Sequence, residues 1–367
     1  MKKLIIVLLA AMSMTGMAQN EKYQINGTLA GDEFKGQKVY LYDVVTRKAM
    51  DSAMVVKGKF VMKGESAQPK MGRLQVKGTD GSQCYLDVVV EAGTIVADPK
   101  KDVLKGTKLN DRLSQFQMRL SAENFGSQLD RYYKEYAEAK DQKAKDEAER
   151  KYDSVDAVKD KVESQLSEEL YNENKENILG CYAMQVMLSA DNMTPQRARE
   201  LSDGAPRSVV TYKPVKDILE RMSHLEKTAV GKMFTDIEGT DFETGEMTKL
   251  STMINGKVAL VDFWASWCSP CRQEIKNNLK RIYETYRDKN FVLVGVDVWD
   301  KPDAHRKAVE QMSIEYPQLI DESMESTTNY GVNGIPHIML IDENGVIVAR
   351  DLRGEAIEKA VSKALGM

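Results

Sequence analysis

Two cysteines three residues apart, Cys268 and Cys271, constrain the fold of this chain more than any other sequence feature. They follow Val258–Ala265, a nearly continuous apolar run that is typical of a central strand covered on both faces. Apolar residues then recur at helical spacing from Cys271 to Tyr286. Because residues i and i+3 are neighbours in the first turn of a helix, the two sulfurs can come within disulfide distance. The pattern therefore predicts a cysteine pair at a strand-to-helix junction.

That position favours redox chemistry. A helix N-terminus presents free N–H groups and a partial positive charge, and both favour the thiolate form of the leading cysteine, Cys268. Pro270 is compatible with this turn, since a first-turn N–H has no helical partner. A structural disulfide across so short a loop would constrain the unfolded chain little, and a metal site would need a second Cys-x-x-Cys pair or other ligands that the sequence does not supply. We therefore expect a reversible dithiol–disulfide pair that uses no metal and no cofactor.

The remaining cysteines and the overall charge exclude several classes of protein. The chain has 367 residues but only four cysteines, so it is not a small disulfide-stapled scaffold. Its formal net charge of −4 offers no basic surface, which excludes nucleic acid as a partner. Cys84 and Cys181 either form a bridge between two regions or remain free thiols, and buried free thiols are the default expectation.

The N-terminal residues predict a secretory signal peptide. Lys2 and Lys3 precede the apolar run Leu4–Met12, and the small residues Gly16 and Ala18 lie three and one before the expected cut. A membrane anchor is the alternative, but the run is shorter than the roughly 20 apolar residues that a spanning helix needs. We expect residues 1–18 to be removed, which would leave the mature protein in the periplasm or cell envelope.

The rest of the chain has three regions of different character. Residues 19–108 contain short alternating or apolar runs separated by turn residues, which predicts a small antiparallel β domain. Residues 109–230 predict a charged helical region, because Ser127–Leu179 has no glycine or proline and its sparse apolar residues lie three or four apart. This helical region is either a partner-binding arm or a set of long helices with one buried stripe, and we favour the second interpretation. Residues 231–367 predict an α/β domain in the order strand, helix, strand, helix, strand, strand, helix.

Two segments of this α/β domain carry a family resemblance. Val261–Cys271, with the sequence VDFWASWCSPC, resembles the active-site strand and turn of the thioredoxin superfamily. Gly334–Pro336 resembles the second signature of that superfamily, a loop that ends in a cis-proline. The extracytoplasmic TlpA/ResA-like subgroup is the most similar, and the resemblance covers residues 231–367. The β region also resembles a domain of unknown function that often precedes such domains.

The resemblance implies roles for the residues of the motif. Cys268 would be the attacking thiolate and Cys271 the resolving thiol that breaks the mixed disulfide. Asp262 interrupts the apolar strand, where a buried carboxylate is costly unless it has a partner or a task. The resemblance gives it the task of accepting the proton of Cys271. The alternative is an inert, protonated core acid.

Four further residues would complete the site. Pro336 would be the cis-proline whose loop pairs with a substrate chain, and Ile335 would line the same surface. Trp267 would shield one side of the cysteine pair, unless it only packs at the domain rim. Glu274 would tune the thiols or contact substrate, unless it only favours the helix dipole. His337 departs from thioredoxin, where a small hydroxyl residue commonly follows the cis-proline, and we expect it to be satisfied locally.

These features predict an exported thiol–disulfide oxidoreductase. Its substrates would be protein disulfides or dithiols of the envelope, with apocytochrome c among the candidates that the resemblance implies. The resemblance also implies a membrane electron donor of the DsbD/CcdA type. A disulfide oxidase or isomerase is the alternative within the same class. An envelope scaffold that binds a partner through residues 19–230 is the alternative from another class.

Overall fold

The computed structural model describes residues 20–190 and 192–367, so the expected signal peptide lies outside the described residues. The chain divides into two compact units. One comprises the described residues up to Asn192 together with Leu201–Lys216, and the other comprises Met193–Glu200 and Asp217–Met367. Each unit has its own buried apolar residues.

The first unit contains two four-stranded sheets. Its strands are β1 (Glu21–Thr28), β2 (Lys38–Asp43), β3 (Ala49–Met54), β4 (Lys59–Ser66), β5 (Lys70–Lys77), β6 (Gln83–Val90), β7 (Gly93–Asp98) and β8 (Val103–Lys105). The strand orders are β4–β1–β7–β8 and β3–β2–β5–β6. Neighbouring strands are antiparallel except β1 and β7. Alternation along β4 explains the packing, because Phe60 and Met62 enter the core while Val61 between them is exposed.

Helices follow these strands along the chain. They are α1 (Lys108–Ala122), α2 (Phe125–Glu138), α3 (Gln142–Asn174), α4 (Ile178–Leu188), α5 (Pro195–Ser202), α6 (Arg207–Val210) and α7 (Lys213–Lys227). Asp141 caps α3, since its side chain accepts a hydrogen bond of 2.9 Å from the Ala144 N–H. Near the other end of α3, Leu166 and Leu170 join the core of the first unit. The long charged helix therefore has a buried stripe, as the favoured interpretation expected.

The second unit is built on one seven-stranded mixed sheet. Its strands are β9 (Glu238–Asp241), β10 (Met247–Lys249), β11 (Val258–Trp264), β12 (Phe291–Asp297), β13 (Gln318–Ile320), β14 (His337–Ile341) and β15 (Ile347–Ala349). The order is β10–β9–β13–β12–β11–β14–β15, with β11, β12 and β13 parallel and β14 antiparallel to β11. This is the α/β architecture of the thioredoxin fold, as the sequence predicted, with β9, β10 and β13 in addition to the expected strands.

Helices cover the sheet, and β11 is buried on both sides. The helices are α8 (Leu250–Ile254), α9 (Ser269–Glu274), α10 (Lys280–Tyr286), α11 (Pro302–Met312), α12 (Glu325–Asn329) and α13 (Glu355–Ala364), and the π-helical turn Ile275–Leu279 joins α9 to α10. Leu260 and Trp264 of β11 pack in a cluster with residues of α9, α10 and α13. Val261 and Phe263 point to the opposite face and a second cluster. In the described part of the chain, no helix is both long and apolar enough to span a membrane.

Candidate active site

Cys268 and Cys271 form a disulfide at the N-terminus of α9. Their Cα atoms are 5.3 Å apart, and Cys268 is the N-cap residue of the helix. The Cys271 N–H donates a hydrogen bond of 3.2 Å to the Cys268 sulfur. Cys271 is fully buried and Cys268 is only 4% exposed. The leading sulfur therefore lies at the edge of the surface with a helix N–H directed at it, while the second sulfur lies beneath.

Backbone and side-chain hydrogen bonds fix the loop that leads from β11 to the disulfide. The Ser266 N–H donates to the Asp300 carboxylate at 2.5 Å. The Trp267 indole N–H donates to the Trp299 carbonyl at 2.9 Å, while the side chain of Trp267 remains 61% exposed. Trp267 therefore lies at the rim of the site with its ring available for contact, and its hydrogen bond orients it.

Asp262 lies on the face of β11 that packs against the helix carrying Cys271. It alternates with Leu260 and Trp264, which belong to the same apolar cluster as both cysteines. Asp262 is 1% exposed, and neither carboxyl oxygen has a hydrogen-bond partner among the described residues. Burial raises the pKa of its carboxyl from 3.8 to about 8. A carboxyl with this pKa can hold or release a proton near neutral pH.

Two charged residues modify the effect of burial on Asp262. The Arg353 guanidinium lowers the pKa of Asp262, and the Glu274 carboxylate raises it. Tyr316 shares the same surroundings, because burial raises the pKa of its hydroxyl and the Asp262 charge raises it further. Within the described part of the chain, this hydroxyl has no hydrogen-bond partner. Arg353 and Tyr316 were not among the residues that the sequence singled out.

The Ile335–Pro336 peptide bond is cis, and it immediately precedes β14. This agrees with the expectation drawn from the Gly334–Pro336 motif. The Pro336 carbonyl accepts a hydrogen bond from the Arg353 guanidinium. Ile335 is half-buried and packs against the cluster that contains both cysteines. The loop is therefore joined to the core beside the disulfide.

Glu274 is tied to the loop before α13. Its Oε1 accepts a hydrogen bond of 3.1 Å from the Gly354 N–H, and its Oε2 accepts one of 2.7 Å from the Asn278 amide. Because two hydrogen bonds hold its carboxylate, Glu274 does more than interact with the helix dipole as a free acid. It contributes negative charge at a fixed position near Asp262.

His337 is satisfied locally, as the sequence predicted. Its Nδ1 lies 2.7 Å from a carboxylate oxygen of Asp351, and its Nε2 lies 3.2 Å from the Arg350 guanidinium. Both ring nitrogens thus have partners outside the disulfide. The ring also packs edge-on against Phe263 on the face of β11 opposite to Asp262.

One buried cluster near the loop was missed by the sequence reasoning. Candidate ligand atoms of Asp297, Asp300 and His305 lie within 4.8 Å of one another. His305 Nδ1 lies 3.1 Å from Asp297 Oδ1, and the Asp300 carboxylate accepts hydrogen bonds from the Ser266 and Lys301 N–H groups. The contact between His305 and Asp297 and the two backbone hydrogen bonds of Asp300 link these residues to one another and to the loop. We therefore assign the cluster the role of holding the active-site loop. The signal for this cluster in the sequence was a pair of acids, Asp297 and Asp300, at the end of a buried strand and just after it. That strand, β12, runs parallel to β11.

Cys84 and Cys181 are both free thiols, and Cys181 is buried as expected whereas Cys84 is half-buried. Burial raises the pKa of the Cys181 thiol to about 11, and its sulfur lies 3.7 Å from the Ser208 carbonyl. Burial also raises the pKa of Cys84. Neither residue has the lowered pKa of a reactive thiol.

Comparisons with known proteins agree with this geometry. The model of the AhpC/TSA family matches residues 230–350, and that of a domain of unknown function, DUF4369, matches residues 23–113. The thiol-disulfide oxidoreductase ResA of Geobacillus thermodenitrificans is 32% identical over 124 residues, which cover 33% of this chain and 70% of the relative. ResA of Bacillus thuringiensis strain Al Hakam is 30% identical over 123 residues, covering 34% and 69%.

A solved structure is also similar. The thioredoxin domain of a thiol-disulfide oxidoreductase from Bacteroides vulgatus is 34% identical, with a TM-score of 0.35, and the match covers 37% of this chain and 98% of that domain. The matches to these two ResA proteins span more than two thirds of their length. This chain belongs to the family of ResA-like thiol-disulfide oxidoreductases, with a thioredoxin-like domain that follows a β-rich N-terminal region.

Proposed function

We propose that this oxidoreductase reduces disulfides of proteins in the cell envelope, with apocytochrome c as one candidate substrate. The observation that carries the proposal is a disulfide at a helix N-terminus, together with a buried carboxyl on the preceding strand that has no hydrogen-bond partner among the described residues. An exposed indole and a cis-proline loop flank it, and both suit an extended protein substrate. The signal-like residues 1–18 support a site of action outside the cytoplasm.

The reaction begins from the reduced protein. The Cys268 thiolate attacks one sulfur of the substrate disulfide, forms a mixed disulfide, and displaces the other substrate sulfur as a thiolate. Asp262 accepts the proton of Cys271, and the resulting thiolate attacks the Cys268 sulfur. The second substrate sulfur leaves with its electron pair, so the substrate gains two electrons and the protein is left as the Cys268–Cys271 disulfide. Trp267, Ile335 and Pro336 hold the substrate chain, and Glu274 fixes the loop beside them.

The oxidised protein must be reduced again for another turnover. We propose a membrane electron donor of the DsbD/CcdA type, which would deliver two electrons through thiol–disulfide exchange at the same Cys268 sulfur. No bound cofactor is needed for this cycle, since the cysteine pair itself carries the electrons. Residues 231–367 would hold all of this chemistry, and the β-rich 19–108 and helical 109–230 regions would serve partner recognition or positioning.

Substrate trapping with Cys271→Ser tests the proposal directly. This variant should stall as a mixed disulfide through Cys268, and the trapped partners should be identifiable after non-reducing electrophoresis of envelope fractions. Cys268→Ser is the matched control and should trap nothing, because it lacks the attacking sulfur. If Cys271→Ser accumulates no partner although its Cys268 still reacts with alkylating reagents, the reductase proposal is wrong. An unchanged phenotype in a Cys268→Ser, Cys271→Ser double variant would favour the scaffold alternative.

A further inference from the structure

The segment Leu352–Gly354, between β15 and α13, runs beside the site and contacts both β14 and α9. The Leu352 N–H donates a hydrogen bond of 3.0 Å to the Ile338 carbonyl. Ile338 is the cross-strand partner of Asp262 in the antiparallel pair β11–β14. The backbone of the segment therefore lies at the level of Asp262, with β14 between them.

The side chain of Arg353 connects this segment to the cis-proline loop. One guanidinium nitrogen donates to the Leu352 carbonyl at 2.8 Å, and the other donates to the Pro336 carbonyl. Because the guanidinium is planar and rigid, these two hydrogen bonds fix its position together. The hydrogen bond from Arg353 therefore fixes the Pro336 carbonyl, which lies immediately before β14.

The next residue of the segment, Gly354, binds a side chain whose charge is opposite to that of Arg353. The Gly354 N–H donates to Oε1 of Glu274, the acid of α9 that follows Cys271 by three residues. Adjacent residues of one segment thus place a positive and a negative charge around the same buried carboxyl. Arg353 favours the ionised form of Asp262, and Glu274 opposes it.

We propose that Arg353 is a positioning residue, which holds the Pro336 carbonyl and supplies the charge that, against Glu274, lets Asp262 accept the Cys271 proton at neutral pH. This inference rests on the proposed function, because it assumes that Asp262 takes that proton. The proton moves from the Cys271 thiol to the Asp262 carboxylate. The Cys271 thiolate then attacks the Cys268 sulfur, and the bond between Cys268 and the substrate sulfur breaks. The titratable groups around Asp262 are Cys271 and Glu274 of α9, Arg353 of the segment and Tyr316 before β13.

Two arginine variants separate charge from hydrogen bonding. Arg353→Lys keeps the positive charge but loses the two-pronged geometry, and Arg353→Met loses both while it keeps an unbranched stem. The probe is the aromatic disulfide 5,5′-dithiobis(2-nitrobenzoate), mixed with the reduced protein in a stopped-flow instrument. Attack by Cys268 releases the first coloured thiolate, and resolution by Cys271 releases the second. The second phase is followed as a function of pH.

We expect Arg353→Met to move the midpoint of the second phase upward by about 0.5–1 pH unit, which slows it about 3- to 10-fold below the midpoint. Arg353→Lys should move the midpoint little, since the charge remains. Glu274→Gln should move it downward, because the amide still accepts the Gly354 hydrogen bond but carries no charge. Lys359→Met, on the exposed face of α13, is the matched control for loss of a cation and should change nothing. A purely structural role of Arg353 would not produce opposite shifts in the two charge variants.

The positioning half of the proposal has its own readout. Both arginine variants should raise KM for the disulfides of insulin about 3- to 10-fold, as loss of one or two hydrogen bonds to a loop would predict. An unchanged KM in both variants would overturn this half. A midpoint unmoved in Arg353→Met, while Asp262→Asn slows the second phase, would overturn the charge half and leave the proposed function intact. If Asp262→Asn leaves the second phase unchanged, the assumed role of Asp262 is wrong, and both proposals fail at that step.

Discussion

At the scale of single residues, two side chains of the site lie in environments that lower the stability or the solubility of a protein. The Asp262 carboxyl is buried and has no hydrogen-bond partner in the part of the chain that the structure describes, and the large Trp267 indole lies on the surface. Both cost free energy or solubility in a protein selected for stability alone. Asp262 and Trp267 therefore have the environments expected of functional residues rather than of packing residues.

The first prediction concerns the stability of Asp262→Asn. The pKa of Asp262 is raised to about 8 in the folded protein, so the unfolded chain loses this proton first as the pH rises. The folded state is therefore penalised from about pH 4 upward, and the penalty stops growing near pH 8. Replacement by the neutral amide should increase the free energy of unfolding at pH 7 by on the order of 3 kcal/mol, and should change it little at pH 3.

Urea unfolding of both proteins at pH 3, 5 and 7 would measure this difference. It should grow with pH, while the second phase of the dithiobis(nitrobenzoate) reaction becomes slower in the variant. A variant that is less stable than wild type at pH 7 would contradict the burial argument. Asp303→Asn, an exposed acid of α11, is the control and should show no such trend.

A second prediction at this scale concerns Trp267→Ala. Because the side chain is 61% exposed and makes one hydrogen bond to the Trp299 carbonyl, its loss should change the free energy of unfolding by less than about 1 kcal/mol. KM for insulin should rise about 5- to 10-fold, since an aromatic contact with the substrate chain is lost. A large loss of stability with unchanged KM would assign Trp267 to packing instead.

At the scale of elements, the sequence predicted the parts that have strong apolar patterns. The runs of β11, β12 and β14 and the helix after Cys271 were visible because buried elements need continuous or periodic apolar residues. β9, β10 and β13 were missed because each has only three or four residues, and β9, Glu238–Asp241, is largely polar. Their place in the sheet depends on pairing with distant strands rather than on their own composition.

The same reasoning explains which site residues the sequence could not reveal. Cys268, Cys271 and Asp262 carry local signals, because each violates or completes a pattern within one motif. Arg353 has no such signal. Its contact with the Pro336 carbonyl arises only when the segment after β15 folds back beside β14, and the Asp297–His305 pair likewise joins separate elements.

The helix α3 provides a prediction at this scale. Leu170 is fully buried in the core of the first unit, whereas Val158 of the same helix is 52% exposed. Leu170→Ala should lower the free energy of unfolding of the first unit by about 2–5 kcal/mol, because it leaves a cavity. Val158→Ala, the matched control, should change it by less than about 0.5 kcal/mol. Equal effects of the two variants in urea unfolding, followed by circular dichroism, would contradict a buried stripe that includes Leu170 and leaves out Val158.

At the scale of the whole molecule, the redox-active cysteines lie in the C-terminal thioredoxin-like domain, and more than half of the chain precedes that domain. The family model that includes the cysteines matches 230–350, while residues before it include a β-rich domain without a matched activity. We predict that the chain is exported and cleaved between Ala18 and Gln19, so that the mature protein would begin at Gln19. Intact-mass measurement of the protein from the envelope fraction would test this. A mature mass that includes residues 1–18 would support the membrane-anchor alternative.

The direction of electron flow is the final prediction, and the disulfide potential decides it. Oxidants of this fold have a strongly stabilised reduced form. Here the Cys268 sulfur is nearly buried, and the hydrogen bond directed at it comes from the single N–H of Cys271. Such limited stabilisation of the thiolate predicts a potential near the reducing end, about −270 mV, rather than about −120 mV.

Equilibration of the protein with dithiothreitol and glutathione buffers, followed by alkylation and mass measurement, would give this potential. A Cys84→Ser, Cys181→Ser background removes the two free thiols and should leave the value unchanged, since neither belongs to the pair. A potential near −120 mV would overturn the reductase assignment in favour of the oxidase or isomerase, because a pair that stays reduced so readily would withdraw electrons from its substrates. A value near −270 mV would require a donor at least as reducing, and the proposed membrane electron carrier would have to meet that requirement.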